Sequence, residues 1–84
     1  MAISVITRSQ VRMARAALGW GVRDLGNQAG IAPNTVSRFE RGLGTNVSTL
    51  RQIQSALEKA GILFIPADSM AGPGIRLTKP QADD

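Results

Sequence analysis

Three polar side chains near the middle of the sequence have the spacing that brings side chains together on a helix. Ser37 and Arg38 follow Asn34 by three and four positions, which places them on the same face as Asn34 if the segment is helical. Their amide, hydroxyl and guanidinium groups form hydrogen bonds, and the Arg fork can bind two acceptors at once. This chemistry suits recognition of a polar partner better than bond cleavage.

The side chains that most often perform acid–base catalysis or bind metals are absent. The 84 residues include no His and no Cys, and the six Asp and Glu form no cluster with metal-ligand spacing. We therefore expect no enzymatic activity, no metal site, no cofactor and no disulfide. The apolar start, residues 1–6, is too short for a signal peptide or a membrane span, so we expect a cytoplasmic protein without membrane contact.

Positive charge is concentrated in the first part of the sequence. Residues 1–51 hold seven Arg against Asp24 and Glu40, a net charge of +5, whereas residues 52–84 have a net charge of −1. A cationic surface of this kind suits a polyanionic partner, although it can equally serve solubility alone.

Capping and turn signals divide the sequence into four helices and two short strands. Thr7 and Gln10 form a capping box for a helix that runs to about Leu18. Pro33 suits the first position of a helix, and Asn46 is a typical N-cap. The predicted helices cover residues 8–18, 22–29, 33–41 and 47–60, and the predicted strands cover residues 62–65 and 75–78.

The short connection between the second and third predicted helices is typical of a helix-turn-helix. Ala29 is small enough for two helices to cross closely, Gly30 accepts a positive φ, and Ile31 can fill the crossing. With Leu25 and Val36 turned inward, the opposite face of the third helix stays free to enter the major groove of DNA. The three polar side chains described above lie on that face.

Four stretches of the sequence match a known pattern. They are ARAALGW at residues 14–20, Leu25 with AGI at residues 29–31, NTVSRFERG at residues 34–42, and Leu50 with Ile53. On these stretches, residues 8–60 resemble the lambda-repressor-like helix-turn-helix family, also described as Cro/cI-type or xenobiotic-response-element type. The resemblance implies a compact, mainly α domain of four helices, to which this sequence adds a C-terminal β-hairpin or strand pair.

The resemblance assigns base-reading positions to Asn34, Ser37 and Arg38. Arg38 would bind guanine through two hydrogen bonds, worth about 1–3 kcal/mol of discrimination, and Asn34 would read adenine. The alternative is an ordinary solvated helix face. Phosphate contacts are expected from a second set, near helix ends and in the loop after the third helix: Arg23, Thr35, Arg41, Thr45 and Asn46.

Those phosphate roles also have simpler alternatives. Arg23 can serve solubility alone, Thr35 can be a first-turn residue without a partner, and Arg41 can complement the helix dipole. Members of the family often carry Lys or Arg in the loop after the third helix, whereas residues 43–46 contain neither.

Arg15 matches a family position that pairs with a Glu at the end of the third helix, and Glu40 occupies that place. The resemblance therefore implies an Arg15–Glu40 ion pair that ties the first helix to the third. We expect Arg8 and Arg12 to be solvated, with phosphate contact as the alternative.

The segment after the fourth helix predicts two short apolar strands. A lone hairpin is marginal in water and its edge invites pairing. We therefore expect an intersubunit sheet in a twofold dimer, with contacts from Ile62, Phe64, Ile65, Ile75 and Leu77. The alternative is a hairpin that only covers the core of its own chain.

The predicted organisation is a DNA-binding domain over residues 1–60, a dimerisation segment over residues 61–78 and a disordered tail over residues 79–84. We expect a sequence-specific transcriptional regulator, a repressor that binds a palindromic operator in double-stranded DNA as a homodimer. The alternative is an antitoxin or adaptor whose C-terminal segment binds a protein partner, such as a toxin or a polymerase.

Overall fold

The computed structural model describes residues 6–78, which form four helices followed by a β-hairpin. The elements are α1 (Arg8–Leu18), α2 (Val22–Ala29), α3 (Pro33–Glu40), α4 (Val47–Lys59), β1 (Ile62–Ile65) and β2 (Gly74–Leu77). The predicted mainly α fold with a C-terminal strand pair is confirmed. The predicted tail, residues 79–84, lies outside the described residues.

The helices begin where side chains can satisfy their first N–H groups. At α1 the Gln10 N–H donates to Thr7 Oγ1 at 3.2 Å, and the Thr7 N–H donates to Gln10 Oε1 at 2.9 Å, which completes the predicted capping box. At α4 the Thr49 N–H donates to Asn46 Oδ1 at 2.7 Å. These bonds fix the start of α1 and of α4, the two longest helices.

The core takes apolar side chains from every helix and from β1. Because each helix has one apolar stripe, the four stripes converge on a shared interior. The buried apolar residues are Ile6, Val11, Ala14, Leu25, Val36, Ile53, Ala56, Leu57 and Ile62.

The turn between α2 and α3 packs directly against Gly26. Gly30 has a φ of 74° and turns the chain as expected, and the Ile31 N–H then donates to the Gly26 carbonyl at 2.9 Å. A Cβ added at Gly26 would lie 2.8 Å from the Ile31 carbonyl oxygen and 3.1 Å from the Pro33 nitrogen. Gly26 therefore sets how closely α3 approaches α2.

The hairpin packs its inward face on the helices of its own chain. The strands pair antiparallel, with Ile62 opposite Leu77 and Phe64 opposite Ile75. All four side chains are buried in the core or packed against it. The Gln10 amide also donates to the carbonyls of Ile65 and Gly74, each at 2.9 Å, so α1 holds the end of the hairpin next to the loop that joins the strands.

The five residues expected at a dimer interface differ in exposure. The two strands pair within one chain, and Ile62 is only 1% exposed. Side chains alternate between the two faces of a strand, and that alternation turns Phe64, Ile75 and Leu77 toward the chain's own helices as well. Of the five residues expected at a dimer interface, Ile65 alone is exposed.

Replacing Gly26 with Ala should destabilise the protein by roughly 1–3 kcal/mol, because the added methyl group meets backbone atoms that cannot move alone. The loss should appear although Ala favours a helix over Gly by about 1 kcal/mol. Urea unfolding followed by circular dichroism measures it. Gly72→Ala is the matched control, since nothing lies within 4 Å of the added Cβ. A G26A variant as stable as the wild type would contradict this packing.

Candidate nucleic-acid interface

Helix α3 has one face in the core and one face in solvent. Val36 is fully buried and Phe39 packs partly against the core. On the other side Asn34 and Arg38 are exposed and Ser37 is half-buried. The structure therefore places all three predicted base-reading residues on α3, with the two larger side chains in solvent.

The residues expected to contact phosphates lie at the ends of the helices around α3. Arg23, Arg41 and Asn46 are exposed, whereas Thr35 and Thr45 are half-buried. Within residues 6–78 the ion pairs involve Arg12, Arg15 and Glu40. The guanidinium groups of Arg23 and Arg41 thus have no acidic partner among the described residues and remain available to an anion.

A buried ion pair fixes the C-terminal end of α3. Arg15 Nε lies 2.7 Å from Glu40 Oε2, Arg15 Nη2 lies 2.7 Å from Glu40 Oε1, and the Glu40 side chain is 9% exposed. This is the bidentate geometry in which Arg binds a carboxylate most specifically. Arg15 Nη1 also donates to the Trp20 carbonyl at 3.0 Å. One guanidinium thereby joins α1, α3 and the segment between α1 and α2.

The hydrogen bond to Glu40 raises the pKa of Arg15 above its ordinary value. Burial acts in the opposite direction, and the negative charge of Glu40 adds a smaller increase. Arg15 therefore stays charged at every pH at which the protein is handled.

Arg12 has a role that the sequence did not predict. Its Nη2 donates to the backbone carbonyl of Glu40, and its Nε lies 4.0 Å from Glu40 Oε1, although half of the side chain is exposed. A cation at this position satisfies a carbonyl at the end of α3 and complements the helix dipole. The available signal was its spacing of three residues from Arg15, which places both on one face of α1.

Comparison with known proteins agrees with this geometry. A family model described as helix-turn-helix, of the Cro/cI type, matches residues 11–61, more than half of the chain. The chain belongs to this helix-turn-helix family. No protein of curated function matches the sequence.

As a member of this helix-turn-helix family, the protein is a DNA-binding transcriptional regulator. The match covers α2, the turn and α3, together with the loop and helix that follow. Among residues 6–78, no helix combines the length and apolar character needed to cross a membrane.

Replacing Arg15 with Ala should lower the free energy of unfolding by about 3 kcal/mol, because the buried Glu40 carboxylate loses its bidentate partner. Chemical unfolding measures the loss. Arg23→Ala removes the same charge from an exposed site and should cost little. Equal stability losses in the two variants would show that the Arg15–Glu40 pair does not hold α3.

Proposed function

We propose that this helix-turn-helix protein is a sequence-specific repressor that binds a palindromic operator as a homodimer. The observation that supports it is the division of α3 into two faces. Val36 anchors one face in the core, whereas Asn34 and Arg38 extend from the other face into solvent. A helix held in this way fits the major groove without rearrangement.

In this proposal Arg38 reads guanine through two hydrogen bonds, and Asn34 reads adenine. Arg38 has no ion pair among residues 6–78, so DNA binding does not have to break one. Ser37 lies between them on the helix and contributes a shorter hydroxyl contact. The side chains of α3 thus supply both donors and acceptors to base edges.

Phosphate contacts flank the base contacts. The proposed residues are Arg23 on α2, Thr35 on the first turn of α3, Arg41 after α3, and Thr45 and Asn46 before α4. These groups fix the position of the helix on the duplex and carry no sequence information themselves. Repression then needs only occupancy, because a protein bound across a promoter excludes polymerase. We place this activity in the cytoplasm.

Arg38→Ala and Arg41→Ala should separate the two kinds of contact. Arg38→Ala should relax base preference at one position of each half-site by about 5- to 150-fold, since a bidentate contact is worth about 1–3 kcal/mol. Arg41→Ala should weaken binding to all duplexes alike. Selection of bound duplexes from a random pool, followed by titration of the selected and scrambled sequences, measures both. Unchanged base preference in R38A would overturn the proposed role of α3.

The proposed dimer uses the outward face of the hairpin. Leu63 is 50% exposed and Ile65 is 37% exposed, and both lie on β1. Two apolar side chains on one exposed strand form a patch that a twofold partner covers with the same residues. Half-sites about 34 Å apart then place both α3 helices in successive major grooves.

The double variant Leu63→Asp/Ile65→Asp should raise the dimer dissociation constant by roughly tenfold or more, because burial of each carboxylate is costly. Sedimentation velocity of the full chain measures it. Met70→Asp is the control, since Met70 is 88% exposed in the loop between the strands. A double variant that dimerises like the wild type contradicts this interface.

The same patch favours a second candidate function. An antitoxin or adaptor would bind a toxin or a polymerase through Leu63 and Ile65 while α3 still reads DNA. A wild-type chain that sediments as a monomer at all concentrations contradicts the homodimer and supports this second candidate.

A further inference from the structure

The second part of the loop after α3, residues 43–46, has no cation of its own, and the structure brings one to it from α1. Residues 43–46 contain no Lys and no Arg. Arg8, on the first turn of α1, packs over Gly42 so closely that a Cβ added there would lie 2.6 Å from Arg8 Nη1 and 3.2 Å from Arg8 Cζ. The glycine thus leaves room for the guanidinium beside the loop.

Arg8 and the loop line an open pocket of about 290 Å³ at the end of α3. Phe39 and Leu50 provide apolar surface, whereas Arg8 and Thr45 provide polar groups. None of the lining residues is acidic, so the pocket has the electrostatic character of an anion site. The complete lining is Arg8, Phe39, Gly42, Leu43, Gly44, Thr45 and Leu50.

Backbone N–H groups of two lining residues, Gly44 and Thr45, are further possible donors beside this pocket. The N–H groups of Gly42 and Leu43 donate to the carbonyls of Phe39 and Arg38, at 3.0 Å each. Within residues 6–78, the N–H groups of Gly44 and Thr45 have no acceptor. Two consecutive N–H groups without an acceptor among residues 6–78, on residues that line the same pocket as the Arg8 guanidinium, match the needs of a phosphate oxygen.

We propose that Arg8, together with the N–H groups of Gly44 and Thr45, binds one backbone phosphate of double-stranded DNA. Arg8 supplies from α1 the positive charge that residues 43–46 lack. This inference rests on the proposed DNA-binding role of α3, because the loop starts where α3 ends and the Leu43 N–H bonds to the Arg38 carbonyl. A duplex that receives α3 in its major groove brings phosphates toward this end of the helix.

The salt dependence of binding tests the proposal on the full chain. For wild type, Arg8→Ala and Arg8→Lys, the logarithm of the association constant is plotted against the logarithm of salt concentration. Arg8→Ala should reduce the slope by about 0.9, the value for one lost phosphate contact. It should also weaken binding to selected and random duplexes alike. Arg8→Lys keeps the charge and should keep most of the slope.

The matched control is Arg51→Ala. This variant removes the same charge from an exposed residue of α4, which lines a different pocket, between α2 and α4. The slope should change less in R51A than in R8A. Equal changes would show that Arg8 acts only through the net charge of the protein, and the proposal would be overturned. Retained circular dichroism and unfolding midpoint in R8A exclude loss of the fold as the cause.

Neutral methylphosphonate groups, placed one at a time in the duplex, locate the contact. Wild type should lose affinity at one position per half-site where R8A loses nothing further. If R8A responds to every methylphosphonate as wild type does, the phosphate contact is contradicted. Binding without base preference would refute the proposed function, yet the R8A and R51A slopes on random DNA would still decide the role of Arg8.

Discussion

Helix α3 has eight residues, too few for a helix to be stable alone in water, so its position depends on contacts at both ends. At its start, the turn that contains Ile31 and Pro33 packs against Gly26. At its end, Arg12 and Arg15 bind the backbone and side chain of Glu40. The exposed face of α3 is therefore set before any partner arrives, which lowers the entropy lost on binding.

The contacts that hold the end of α3 also determine which arginines remain available at the surface. The Glu40 carboxylate pairs with Arg15 and lies near Arg12, so two arginines of α1 serve the fold. Arg38 and Arg41 are exposed, and no carboxylate among residues 6–78 pairs with them. A net charge counted from the sequence does not separate paired from unpaired arginines, because pairing depends on which side chains are in contact in the folded protein.

The helices could be predicted from the sequence because their ends are local features, such as the Thr7 cap and the glycine after α2. The sequence did not allow a prediction of which face of the hairpin packs on the core. Residues 62–65 are apolar throughout, so no alternation shows which side faces the core. Ile62 is buried and Leu63 exposed because β1 packs on α4 while its partner strand β2 packs on α1, which is distant in sequence. The contact between Arg8 and Gly42 is also long-range, and no local sequence pattern predicts it.

The Gln10 amide has a consequence for the order of events during synthesis. It contacts the carbonyl of Gly74, which is 64 positions further along the chain. Although α1 leaves the ribosome early, its first turn obtains this partner only after nearly the whole domain has been translated. Closing so long a loop carries an entropic cost. The final docking of α1 on the hairpin therefore waits for the synthesis of β2, and a nascent chain cut short before β2 lacks it.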